Sequence, residues 1–71
     1  MKGGNNVLYT VKEVSKILRT NPTYVYKLIS NGKLPAIKLG SYKVRKEALE
    51  IFLERYEGYD LTDPNLAKEI S

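Results

Sequence analysis

The side chains able to do chemistry here are cationic and phenolic. Nine bases, Lys12, Lys16, Arg19, Lys27, Lys33, Lys38, Lys43, Arg45 and Lys46, fall in one stretch against one acid, Glu13. That stretch carries +8, while the whole 71-residue chain carries +4. From Glu57 onward the sign reverses: Glu57, Asp60, Asp63 and Glu69 against Lys68 leave −3. A basic body with an acidic tail points to a polyanion as partner of the body. A solvated lysine-rich surface has the same composition, so spacing must separate the two.

Other chemistries lack their residues. There is no cysteine and no histidine. Disulfides, thiolate metal ligands, a cysteine nucleophile and the usual general base near neutral pH are all excluded. Asp, Glu, Ser and Lys are present, but no spacing gathers them into a catalytic set and no Gly-rich phosphate loop occurs. The chain reads as a non-enzyme without metal, cofactor or small-molecule effector. The absence of cysteine fits a reducing, cytoplasmic setting. No apolar run approaches the roughly 18–20 residues that cross a bilayer. Residues 1–6, Met1-Lys2-Gly3-Gly4-Asn5-Asn6, have no hydrophobic stretch behind the lysine. They read as a flexible lead-in rather than a signal peptide. Residues 7–56 then form the domain and residues 57–71 an acidic tail.

The elements that must position the cations are legible from caps and periodicity. Thr10-Val11-Lys12-Glu13 is a capping box. Val11, Val14, Ile17 and Leu18 follow as one helical stripe, with Lys12, Lys16 and Arg19 on the wet side. Asn21-Pro22 opens a second helix, because Asn caps well and Pro suits the first helical position. Its inward stripe is Val25, Leu28 and Ile29, and Asn31-Gly32 closes it. Leu34 to Leu39 is too short and too Pro-marked for a helix. It alternates, Gly40-Ser41 signals a hairpin turn, and Tyr42-Lys43-Val44-Arg45 alternates again. From Lys46 to Tyr56 the helical period returns, with Leu49, Phe52 and Leu53 inward. Helix, tight turn, helix, hairpin, helix is a mostly α arrangement with a small β-hairpin, the layout of a winged helix-turn-helix.

In that layout a short second helix enters the DNA major groove, braced by the first. The groove-facing candidates are Pro22, Thr23, Tyr24 and Lys27, with ordinary packing expected for Tyr26. Backbone N–H groups around residues 21–24 could meet a phosphate. Lys38, Ser41, Tyr42, Lys43 and Arg45 line or flank the tip of a basic wing. Lys12, Lys16, Arg19 and Lys33 are further candidates for the DNA backbone. In the tail, Asp63-Pro64 could cap one short helical turn that places Leu66 and Ile70 together. Leu61, Leu66 and Ile70 are its candidates for a protein partner, against the plainer reading of a loosely docked tail.

Thr10-Val11-Lys12-Glu13-Val14-Ser15-Lys16-Ile17-Leu18, Thr23-Tyr24-Val25-Tyr26-Lys27-Leu28-Ile29, Gly32-Lys33-Leu34-Pro35-Ala36-Ile37-Lys38-Leu39-Gly40 and Tyr42-Lys43-Val44-Arg45-Lys46-Glu47-Ala48-Leu49 together resemble the excisionase-family helix-turn-helix domain. That family is a minimal relative of the MerR-like winged helix. The resemblance covers roughly residues 8–56. It implies a small double-stranded DNA-binding protein of a mobile element, such as a recombination directionality factor that bends DNA beside an attachment site and assists a recombinase or integrase. Other members are small transcriptional regulators with the same contacts. By the resemblance, Lys27 matches the basic position on the reading helix, and Lys43 the basic wing position after an aromatic. The chain departs from the pattern at Thr20, where an apolar residue is commoner, and at Arg45, where proline often opens the last helix. Its wing tip is short. A module of this size buries only about 600–1,000 Å² on DNA, so further copies of itself on adjacent sites, or a recombinase, are expected partners. From another class, an adaptor acting through the tail would need no DNA at all.

Overall fold

The computed structural model describes residues 7–70; the lead-in expected at residues 1–6 lies outside them. The chain runs β1 (Leu8–Thr10), α1 (Val11–Ile17), α2 (Pro22–Ser30), β2 (Ile37–Leu39), β3 (Ser41–Arg45), α3 (Lys46–Arg55), β4 (Tyr59–Asp60) and β5 (Lys68–Glu69). Both hallmarks of the capping box are present. The Glu13 N–H donates to the Thr10 hydroxyl at 3.1 Å, and the Thr10 N–H to the Glu13 carboxylate at 2.8 Å. Asn21 caps α2, its Oδ1 accepting the Tyr24 N–H at 2.9 Å, with Pro22 as the first helical residue.

The two helices end in the same way on different residues. After α2, Gly32 takes φ +81° and the Lys33 N–H reaches back to the Leu28 carbonyl at 2.9 Å. After α1, the Thr20 N–H reaches the Ser15 carbonyl at 2.8 Å, but the left-handed residue is Arg19, φ +58°. This is a Schellman closure without its glycine. It makes the tight turn that swings α2 across α1, and no residue type in the sequence announces it.

The core is small. Val11 and Val14 of α1, Val25 and Leu28 of α2, Leu34 of the connecting loop, Val44 of β3, and Leu49 and Phe52 of α3 form one buried cluster. Two residues expected inside lie outside: Ile17 and Leu53 are each 46% exposed. The reason is angular. At about 100° per residue, Val11, Val14 and Leu18 centre the inward arc of α1 on a line that passes beside Ser15, not Ile17. Ser15 is therefore buried, and its hydroxyl donates to the Lys12 carbonyl at 2.7 Å, so it leaves no unpaired polar atom. On α3 the same geometry puts Leu53 about 100° round from Phe52, at the rim.

The expected hairpin gains a third strand. β3 is central, with β2 on one side and β1 on the other, both antiparallel. Tyr9 pairs with Val44, and the Lys46 N–H donates to the Val7 carbonyl at 2.9 Å. The sheet thus clamps the start of α1 to the start of α3. A two-stranded hairpin alone is marginal in water, and the third strand supplies its backing.

The tail is the largest departure. Only a single turn forms at Asp63, where the Leu66 N–H returns to the Asp63 carbonyl at 3.0 Å. It does not continue as helix. The chain doubles back instead, so that Tyr59 pairs with Glu69 and Asp60 with Lys68. The three residues between Pro64 and β5 cannot make a helix worth nucleating, whereas the hairpin can dock on existing surface. Phe52, Tyr56 and Tyr59 meet in sequence, the first pair tilted and the second edge to face, ring centroids 5.2 and 5.8 Å apart, and lead the tail off α3.

Candidate nucleic-acid interface

Helix α2 buries Val25 and Leu28, which leaves Thr23, Tyr26, Lys27 and Ser30 as its outward row. No acid lies on this helix. Its first-turn N–H groups are partly spoken for. Pro22 has none, and that of Tyr24 goes to the cap, leaving that of Thr23 unused by the helix.

The two flanks of that row are occupied by different things. On one flank stands the wing. Tyr26 meets Tyr42 of β3 edge to face, centroids 6.1 Å apart and planes at 61°. Tyr42 pairs across the hairpin with Lys38, whose ammonium lies 4.5 Å from the ring centre. On the other flank stands the tail. The Tyr24 hydroxyl donates to the Leu61 carbonyl, and the Asn31 side-chain amide donates to the Pro64 carbonyl at 2.6 Å. Asp60 and Asp63 therefore lie close to Tyr24. Its phenol is pushed above the usual value, mainly by burial and further by these two carboxylates.

The sequence candidates are redistributed by this geometry. Thr23 and Lys27 project from the outward row, and Pro22 is exposed at its start. Tyr24 does not join them; it is half-buried, packs on the core and holds the tail. Tyr26, expected to be plain packing, is 47% exposed and faces the wing. The five wing candidates divide between two faces, because side chains alternate along a strand. Tyr42 shares its face with buried Val44 and with Lys38, toward the helices. Ser41 and Lys43 lie on the outer face, where the Lys43 ammonium donates to the Ser41 hydroxyl at 2.7 Å. Arg45 stands at the base of the wing as the cap residue of α3, ion-paired to Glu47. With Lys33 and Arg55 it borders a separate shallow groove beside Ile51. Lys12 and Lys16 are exposed on α1, and Arg19 on the turn.

In the tail the three apolar candidates also part company. Leu61 packs against the core, while Leu66 and Ile70 are 50% and 64% exposed. Among the described residues no helix is long and apolar enough to cross a membrane.

Two helices joined by a tight turn, with a third helix and a basic hairpin packed against them, define a winged helix-turn-helix. A family model described as a helix-turn-helix domain matches residues 8–57, and the chain belongs to that family, the excisionase-type helix-turn-helix domains. Two curated relatives, from two strains of Mycobacterium tuberculosis, are provisionally named DNA-binding proteins. Each is 42% identical over 48 residues, which is 66% of this chain. The chain spans 62% of the length of these relatives. No solved structure matches it.

Proposed function

We propose that this chain binds double-stranded DNA, with α2 in the major groove and the β2–β3 wing along the neighbouring backbone. The observation that carries this is the acid-free outward row Thr23, Tyr26, Lys27 and Ser30, flanked by a wing bearing Lys38 and Lys43. On this reading Lys27, exposed on α2, donates to guanine O6 or N7, or to a phosphate. The acidic tail on the opposite flank repels phosphates, so the duplex backbone is held to the wing side. The family membership and the relatives' names support the same reading. Within it we favour, from the likeness of the sequence to excisionase-type domains alone, an excision accessory factor that works with a recombinase and with further copies of itself on adjacent sites. A small transcriptional regulator would use the same contacts.

A titration of duplex DNA followed by anisotropy tests the proposal. With about four to six phosphates neutralised, the logarithm of affinity should fall against the logarithm of salt with slope about −4 to −5. A slope near zero contradicts the electrostatic part. If no duplex is retarded at low ionic strength, the exposed Leu66 and Ile70 of the tail make a protein adaptor the better reading. Duplexes carrying one and several sites, compared for affinity per site, test the need for multiple copies.

A further inference from the structure

We infer that Tyr26, Tyr42 and Lys38 form a seat for one backbone phosphate, at the seam between the reading helix and the wing. This rests on the DNA-binding reading above and deepens it. The three side chains come from three elements, α2, β3 and β2, and meet in a row. Tyr26 and Tyr42 meet edge to face with centroids 6.1 Å apart, and the Lys38 ammonium sits 4.5 Å from the Tyr42 ring centre. Among the described residues neither phenol hydroxyl has a hydrogen-bond partner and Lys38 has no ion pair. Two O–H donors and one ammonium, none with a protein partner among those residues, are thus gathered within a stretch that holds no acid from residue 14 to residue 46.

Position names the ligand. The helix lies in one groove and the wing lies outside it, and what separates the two on a duplex is a sugar–phosphate strand. That strand must cross this seam. A phosphate oxygen accepts from all three donors, whereas a base edge would have to leave its groove to reach them. The arrangement is also set before binding. The cation–π contact holds the ammonium over the ring, and the ring–ring contact orients both phenols, so less side-chain freedom is lost on association. Plain packing would account for the two rings. It does not account for a lysine laid on the helix-facing side of the wing while Ile37 and Leu39 face outward, 42% and 57% exposed.

The test uses duplexes in which one phosphate at a time is replaced by a neutral methylphosphonate, with Tyr26→Phe, Tyr42→Phe and Lys38→Gln proteins. The Phe variants keep the rings, and thermal unfolding checks that they remain folded. Wild type should lose about three- to tenfold in affinity at one particular linkage. At that linkage Tyr26→Phe and Lys38→Gln should lose little more, while at other linkages they should show their full deficit. Lys38→Gln should also reduce the salt slope by about 0.9. Variants that bind like wild type, or that remain equally sensitive to every linkage, overturn the seat while leaving DNA binding intact. A wild-type protein that binds no duplex overturns both readings.

Discussion

Tyr24 donates its hydroxyl to the carbonyl oxygen of Leu61, 37 residues further along, and so ties the acidic tail to the flank of the reading helix. The same helix presents Tyr26 to the wing. Two tyrosines two positions apart, about 200° round the helix, therefore serve opposite flanks.

The Tyr24 bond makes tail docking sensitive to alkaline pH. Burial, then Asp60 and Asp63, raise the phenol above its ordinary value of 10.0. A raised value in the folded state means the contribution is complete below that ordinary value and is lost as pH climbs through the folded one. Protection of the amides of residues 59–69 relative to their intrinsic, base-catalysed exchange should fall over that range. Tyr24→Phe should abolish the pH dependence and weaken docking by about 0.5–1.5 kcal/mol at neutral pH.

An opposite dependence is expected on the acid side. Asp60 accepts from the Thr62 hydroxyl at 2.6 Å and from the Thr62 N–H at 2.9 Å, and these bonds hold its carboxyl below the usual range. Its contribution is present above the ordinary carboxylate value and disappears as pH falls through the lowered one. Chemical shifts of Thr62 should follow that titration, and Asp60→Asn should flatten it. Shifts that titrate unchanged in the variant would locate the effect elsewhere.

Arg19→Gly should raise stability by about 1 kcal/mol. Arg19 sits at φ +58°, where a side chain is disfavoured by roughly 1–2 kcal/mol and glycine is not. The gain is partly offset by the extra freedom glycine has when unfolded. Urea unfolding at constant m-value measures it, and a destabilised variant would show that the Arg19 side chain packs favourably on the turn.

Leu28→Ala should cost about 2–5 kcal/mol. Leu28 is fully buried at the centre of a core of eight hydrophobic residues, and its carbonyl also receives the closing bonds of α2. A domain this small holds only about 5–10 kcal/mol in total, so circular dichroism should show substantial unfolding well below the wild-type midpoint.

Two lysines should behave differently on DNA. Lys27→Ala should weaken specific binding by about 1–3 kcal/mol and relax preference at one base pair. Lys43→Ala, on the outer face of the wing, should weaken all duplexes alike and lower the salt slope by about 1. A uniform loss for Lys27→Ala would assign it to the backbone instead.

α1, α2 and the hairpin were legible because each opens or closes on local chemistry, and α3, which has no side-chain cap at its start, from its apolar period. Thr10 with Glu13, Asn21 with Pro22, Asn31 with Gly32, and Gly40 at the turn act within four residues of themselves. β1 was not legible, since three residues without clear alternation carry no period and pair with β3 only once the fold exists. The turn after α1 was legible from Asn21-Pro22, but the way it closes was not. Its left-handed position is an arginine, and tertiary packing overrides the local preference.

The candidate site divides along the same line. Charge segregation, the reading helix and the basic wing follow from residue order alone, because caps, turns and helical period are short-range and survive without a partner element. Which side chains share a face was decided only when the elements packed. The pairing of Lys38 with Tyr42 turns both toward α2, and the tail's return to Asn31 and Tyr24 takes Tyr24 and Leu61 away from the surface. Contacts between residues some 16 to 37 positions apart depend on register and crossing geometry, which no local stretch of chain encodes.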